Sequence, residues 1–380
     1  MQLVRVLAAV LGVLILVGTS DSVLKALVLP GARTGLLIRT TDQTIDRAFR
    51  MVCRRIGRYE RRHRILALEG PVFLAGMLGV WLVLYVIGYT LLLWPWNTSL
   101  GAAWREAGSS LLTLGFASTH GDGPTAIDFL AAATGLIVVA LQIAYLPTLY
   151  GAFNRRETEV ALVGVRAGRP AWGPELLART RLFASGGELA DFYTQWERWA
   201  ADVGESHASH PILLRFRSPD PYSSWLIALL AVMDSAALYS AVSPEAVPMR
   251  ARLALQMGFR SLRQLADTLR MTYDEDPRPD AGIELTREQF DVGIARLEAA
   301  GFAMERSADE AWPHFQGWRV NYESIAYRLA YQIDAVPAPW SGPRRFASDA
   351  LTPRRTVNRT PEDPDGRIAS PSWRFEHPKT

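Results

Sequence analysis

Two stretches of 25 residues without a charge, Gly70–Trp94 and Phe129–Phe153, constrain the fold of this chain more than any other feature. A helix needs about 20 apolar residues to cross the hydrocarbon core of a bilayer, so each stretch predicts a membrane-spanning helix. Pro71 suits the first turn of the first one. Trp94 and Trp96 suit its far end, where aromatic rings settle at the membrane–water boundary. Pro147 is expected to bend or end the second helix. The expected fold class is mainly α: a helical membrane protein with a mostly helical cytoplasmic domain.

Charge predicts the orientation. Arg33–Arg64 contains ten arginines against Asp42, Asp46 and Glu60, and Arg155 and Arg156 follow the second stretch. Arginine clusters beside spans stay cytoplasmic. Both flanks of the two-span module, residues 70–153, are therefore expected inside, and the connection Pro95–Asp128 outside. Upstream, Val6–Gly18 has the length of a signal-peptide core. A cleaved signal would export the arginine cluster, whereas a span over residues 1–23 with an outside N-terminus keeps it inside, and the span is preferred. The expected location is a multi-pass position in a plasma (inner) membrane with the C-terminus cytoplasmic. Only Lys25 and Lys379 are lysine, which fits a GC-rich bacterial genome.

Residues 24–69 read as a basic cytoplasmic loop. In it Ile45, Phe49, Val52, Ile56 and Tyr59 recur at helical spacing, and Arg47, Arg50, Arg54, Arg58 and Arg61 lie largely off that face. Such a helix lies on anionic lipid headgroups or packs on the protein's own domain, and the lipid surface is preferred.

The outward connection carries one apolar stretch, Gly108–Ala117. Non-helical backbone at membrane depth is tolerated only where protein buries it or water lines it. A re-entrant segment over about residues 102–118 is therefore expected, with a short helix Ala102–Leu112 followed by Thr113, Leu114, Gly115, Phe116, Ala117 and Ser118. The order span, short helix, Thr-x-Gly-aromatic, span resembles the pore module of tetrameric potassium channels over about residues 70–153. The resemblance implies a homotetramer with a central pore. Thr113–Ser118 would be its selectivity filter, whose carbonyls replace the hydration shell of a monovalent cation such as potassium. It further implies a Thr113 hydroxyl at the inner mouth, a Gly115 carbonyl turned inward through a positive φ, and Phe116 wedged against Trp104. Two positions depart from the pattern. Ala117 stands where the family has its second glycine, and its Cβ penalises left-handed backbone by about 1–2 kcal/mol. Ser118 replaces the usual aspartate. These departures keep a second reading open: a non-conducting, membrane-anchored interaction or scaffold protein that uses the channel-like hairpin for assembly.

In the second span Thr134, Val138, Gln142 and Tyr145 share a helical face. Its polar members are expected to meet a cavity or a neighbouring helix rather than lipid. Gly135 and Pro147 are candidate gate positions, with close helix packing and a helix end as the alternatives.

Residues 154–335 read as a helical cytoplasmic domain. Leu189, Phe192, Trp196 and Trp199 recur at helical spacing. Ser223–Val242 is nearly long enough to span, but Asp234 near its middle costs about 3 kcal/mol at a bilayer centre, so it is expected to be a buried core helix. Met249–Leu269 predicts one helix or two broken near Gly258. Thr286 is a natural N-cap and Gly301 a natural stop, and Tyr322–Ile333 predicts the last helix. Residues 336–380, with eight prolines, read as a poorly ordered tail. No Gly-x-Gly-x-x-Gly follows a strand, and there is no Walker loop or zinc spacing. His207 and His210 read as a solvent loop, Asp274–Asp280 as a linker without the spacing of a calcium loop, and the lone Cys53 excludes an internal disulfide. The chain is expected to be no enzyme, with no catalytic residue, bound metal, cofactor or nucleic-acid partner.

Overall fold

The computed structural model describes residues 2–29, 35–183, 188–354 and 361. Among the described residues thirteen α-helices follow one another: α1 (Gln2–Leu27), α2 (Leu36–Cys53), α3 (Tyr59–Leu66), α4 (Glu69–Leu93), α5 (Leu100–Leu111), α6 (Asp122–Ala167), α7 (Gly173–Phe183), α8 (Glu188–Ser209), α9 (Trp225–Val242), α10 (Met249–Thr268), α11 (Arg287–Ala299), α12 (Ala308–Arg319) and α13 (Glu323–Gln332). The described residues contain no β-strand, only an isolated bridge between Arg169 and Arg354. The mainly α expectation holds. The chain divides into two compact units, Met1–Arg55 with Leu68–Gly151, and Ile56–Ala67 with the chain from Ala152 onward.

In the N-terminal unit, α1, α4 and the apolar part of α6 are long and apolar enough to cross a membrane. α1 packs along α4. A Cβ on Gly12 would lie 2.6 Å from the Gly88 carbonyl oxygen, so the bare glycines set the approach of the two helices. Lipid gives helices no hydrophobic reason to associate, and small residues plus side-chain hydrogen bonds do that work instead. The Trp81 indole accordingly donates to Ser22 Oγ at 3.1 Å, and the Ser20 and Tyr85 hydroxyls pair at 2.9 Å. Both long apolar helices lie where expected, but α6 does not end at Pro147. It runs on through Asn154 to Ala167. A proline inside a membrane helix loses one hydrogen bond, which local adjustment and neighbours make good. The turns beyond are pinned in the C-terminal unit, where the fully buried Arg156 donates to the carbonyls of Leu213 (3.0 Å) and Phe216 (2.6 Å).

The basic loop corrects two expectations. Its amphipathic helix ends at the buried Cys53, and the chain leaves helical geometry around Gly57. Tyr59 therefore belongs to a different helix from Ile45 and Phe49. α2 turns its apolar face to α4, with Ile45 Cδ1 3.4 Å from where a Cβ on Gly76 would be. Arg47, Arg54, Arg58 and Arg61 are exposed, and Arg50 pairs with Asp46. α3 folds into the C-terminal unit.

The C-terminal unit is built around α9, in which every residue except Tyr239 is buried. Helices α7, α10, α12 and α13 cover it. No face remains for lipid, which bears out the core-helix reading although the helix is long and apolar enough to span. α10 is one helix, unbroken at Gly258, whose missing side chain admits Met233 of α9. Thr286 and Gln289 form a capping box, and Gly301 closes α11 with φ +66°. His207 is not in a solvent loop. It is fully buried in the last turn of α8, 3.0 Å from Arg156, and burial together with that cation holds its pKa well below the ordinary value. The proline-rich segment is ordered as far as Arg354. Trp340 donates to the Gln289 carbonyl at 3.0 Å, and Arg344 is buried among the carbonyls of Ala335, Val336 and Ser341. Beyond that point the expected disordered tail lies outside the described residues, apart from Pro361.

Candidate functional site

Helix α5 and the loop after it carry the resemblance, and both lie in the N-terminal unit. Ser99 caps α5, accepting the Ala102 N–H at 3.2 Å. The helix begins two residues before the expected Ala102 and ends one residue before the expected Leu112.

A single residue organises the loop after α5. Ser109, fully buried in the last turn of the helix, accepts four consecutive backbone N–H groups. Its carbonyl takes those of Leu114 (2.7 Å) and Gly115 (3.4 Å), and its hydroxyl oxygen those of Phe116 (2.9 Å) and Ala117 (3.1 Å). In a trans peptide the N–H of one residue and the C=O of the residue before it point in opposite directions. The carbonyl oxygens of Thr113, Leu114, Gly115 and Phe116 therefore point away from α5. None of the four accepts a hydrogen bond among the described residues. The turn is made by positive φ at Thr113 (+55°) and Gly115 (+70°). Glycine adopts this freely, but a β-branched threonine does not. Strain of this kind, about 1–3 kcal/mol, persists where the surroundings enforce it.

A second buried group ties the far end of the loop. Glu106 of α5 accepts the Thr119 N–H (2.6 Å) and hydroxyl (2.8 Å) and the Asn97 side-chain amide, while Asn97 also donates to the Leu93 carbonyl at the end of α4. Ser110 donates to Asp128 of α6 at 2.6 Å. Both ends of the loop are thus fixed to the helices that flank it.

The sequence-based roles fare unevenly. Thr113, Leu114, Gly115 and Phe116 form a row, and the Thr113 hydroxyl is unpartnered among the described residues. Ala117 does not have a positive φ, so the penalty expected for its Cβ is not incurred, and the strain sits at Thr113. Ser118 is exposed. Phe116 and Trp104 are 59% and 50% exposed and make no ring contact with each other within one chain. On α6, Thr134, Val138 and Gln142 do not line an open face. Thr134 bonds the Tyr89 hydroxyl of α4 at 2.7 Å, Val138 and Gln142 are buried, and Tyr145 is half-buried. The Thr134 hydroxyl meets α4, Gln142 is buried with its Oε1 unpartnered among the described residues, and the exposed residues of this stretch are apolar, with Leu136, Ile137, Val139 and Ile143 among them. Gly135 packs on the end of α5, where its bare Cα faces the Leu111 carbonyl. Pro147 is exposed.

Sequence reasoning missed Ser109, Glu106, Asn97 and Thr119. A carboxylate in the short helix of a loop otherwise nearly free of charge was the available signal. Among the described residues no group of three or more His, Cys, Asp or Glu could hold a metal ion. Comparison with protein-family models, curated proteins and solved structures yields no match.

Proposed function

We propose that this protein is an ion-channel-like membrane protein that passes a monovalent cation, potassium first, through the axis of a homotetramer. The observation that carries the reading is the row of four unpartnered carbonyls from Thr113 to Phe116, held outward because Ser109 takes all the N–H groups behind them. Carbonyl oxygens in such a row replace the hydration shell of a cation. A single chain leaves Leu112, Leu114 and Phe116 at 50–61% exposure. Three further copies would cover these apolar side chains and close the ring of carbonyls. The non-conducting scaffold reading draws on Ser118, which supplies no charge at the mouth, and on the apolar exposed residues Leu136, Ile137, Val139 and Ile143 of α6.

Conduction is tested by potassium flux in vesicles reconstituted with the full chain. Wild type is expected to conduct. Gly115→Val is expected to abolish flux while the protein stays monodisperse, because open space surrounds Gly115 and only its left-handed φ is lost. Flux untouched by the substitution shows that Thr113–Phe116 does not conduct, and a silent wild type favours the scaffold.

The orientation, with the N-terminus and the α4–α6 connection outside and α2 and the C-terminal unit cytoplasmic, rests on the arginine asymmetry. Exposed anionic headgroups would meet Arg47, Arg54, Arg58 and Arg61. In intact cells an impermeant thiol reagent is expected to label Thr98→Cys and spare Arg61→Cys, the reverse pattern being fatal to this topology. Native Cys53 is fully buried and silent in either case.

A further inference from the structure

Helix α3 is the one stretch between α2 and α4 that folds with the C-terminal unit, and its last residue lies three positions before the first residue of α4. Two of its side chains, Arg62 and His63, are 1% and 3% exposed, and Tyr59 is 6% exposed. Arg62 reaches Asp334 at 3.0 Å and Ser348 at 2.8 Å, with Phe346 against its guanidinium face. Arg217 donates to His63 Nδ1 (3.2 Å), to the Tyr59 hydroxyl (3.2 Å) and to the carbonyls of Ile333 and Asp334 (both 2.6 Å). The guanidinium Nε–H of Arg217 is a donor with no acceptor capacity, so His63 Nδ1 must be the acceptor. The ring proton is then on Nε2, donated to the Ser218 carbonyl at 2.9 Å. The docked state therefore requires neutral His63.

We infer that α3 is an acid-releasable clamp, by which the C-terminal unit grips the chain just ahead of α4 when His63 is neutral and lets it go when His63 takes a second proton. The inference is independent of whether the Thr113–Phe116 row conducts. A proton on Nδ1 removes the acceptor that Arg217 uses and sets two cations side by side in a buried place. The charged and titratable groups around His63 are Tyr59 and Arg62 on its own helix, Arg217 and Asp220 after α8, and Asp334 and Arg344 after α13. Only Asp220 among them pulls the ring toward its charged form. The cluster is also imperfectly satisfied: Asp334 Oδ1 and Ser218 Oγ are buried without a hydrogen-bond partner, which leaves the grip less secure than a fully bonded one.

These contacts fix the sign of the pH response. Burial and then the Arg217 cation depress His63 to about 4 in the docked state, against about 6.5 when free. The released state binds the extra proton between those values. Docking is therefore complete above pH 6.5 and weakens as pH falls toward 4.

Hydrogen–deuterium exchange on the full chain in detergent reads this directly, from peptides covering residues 59–66 and, as reference, α9. After correction for intrinsic rates, protection of α3 in wild type is expected to fall on the order of tenfold to a hundredfold between pH 7.5 and 4.5, with α9 unmoved. In His63→Gln, which keeps a neutral donor but cannot titrate, the pH response is expected to vanish. Asp334→Asn, which tolerates the left-handed φ of +45° at that position, is expected to expose α3 at every pH. Flat protection in wild type overturns the clamp, as does an undiminished fall in a docked His63→Gln protein. Should His63→Gln release α3 even at neutral pH, Asp220→Asn decides. It removes the anion favouring charged His63 in the docked state, so release must set in at higher pH, and a midpoint that stays or moves to lower pH overturns the inference.

Discussion

Arg319→Ala is expected to lower the melting temperature of the C-terminal unit by roughly 10 °C, the consequence of about 3–5 kcal/mol lost when one side of a buried ion cluster is removed. Arg319 is fully buried. It donates to Asp234, to Glu323 (2.8 Å), to the Tyr327 hydroxyl (2.9 Å) and to the Trp340 carbonyl (2.6 Å). Burial opposes its charge, but Asp234, Tyr327 and Glu323 outweigh burial and hold the guanidinium protonated well above its ordinary pKa. Asp234 also accepts the Tyr322 hydroxyl at 2.8 Å, and Glu323 accepts the N–H groups of Glu284 and Leu285. Truncating Arg319 therefore strands two carboxylates at once and empties the space beside Trp340. Arg319→Lys keeps the charge but not the planar fork that serves four partners, so it should fall between wild type and alanine. Tryptophan fluorescence during thermal unfolding follows the change, since Trp172 and Trp340 report this core. An alanine variant that melts with wild type would mean that water replaces the guanidinium and that the cluster does not hold the unit together.

Asp234 shows which part of that cluster could be read in advance. A carboxylate in the middle of an otherwise apolar helix rules out lipid on energetic grounds, and so identifies α9 as a core helix from composition alone. Its partner lies 85 residues away on α12, and no periodicity links the two. The spans were legible for the same reason that α9 was: length and absence of charge are local properties. Pairing of single buried polar groups is not local. The Ser109 side chain looks like any small residue near a helix end until the loop folds back on it. Arg62 and His63 fall in the stretch that reads as a basic cytoplasmic loop, yet both are buried where α3 folds into the C-terminal unit. Residues 336–354 read as tail because proline-rich composition excludes helix and strand, but Trp340 and Arg344 anchor the extended chain without either. In the loop, the Thr-Leu-Gly-Phe order and the positive φ at Gly115 were readable. The placement of strain on Thr113 rather than Ala117 was not, because it depends on which N–H groups Ser109 collects.

Gly135→Ala is expected to cost the N-terminal unit about 1–3 kcal/mol, because it forces extra volume into a packed contact, even though alanine in a helix interior normally gains about 0.5–1 kcal/mol over glycine. The sign is decided by what the new Cβ meets. It would run into the Leu111 carbonyl oxygen, with the Leu111 carbonyl carbon at 3.1 Å and Cδ1 at 3.4 Å. Backbone cannot rotate aside as a side-chain end can. Leu111 closes α5 in the same turn as Ser109, and Thr113 comes two residues later, so a displaced Leu111 carries the carbonyl row with it. Gly79→Ala on α4 is the control, since nothing lies within 4 Å of that site and only the gain in helix propensity remains. The same pair of variants separates packing from hinging at Gly135. A hinge that acts only during opening leaves α5 undisturbed at rest, so hydrogen exchange of residues 100–111 should match wild type while flux changes. A contact glycine loses α5 protection in the resting protein, and flux, where present, falls with it. Protection and stability both unchanged in Gly135→Ala would show that α5 and α6 yield at this contact, and would return Gly135 to the role of a bend in α6.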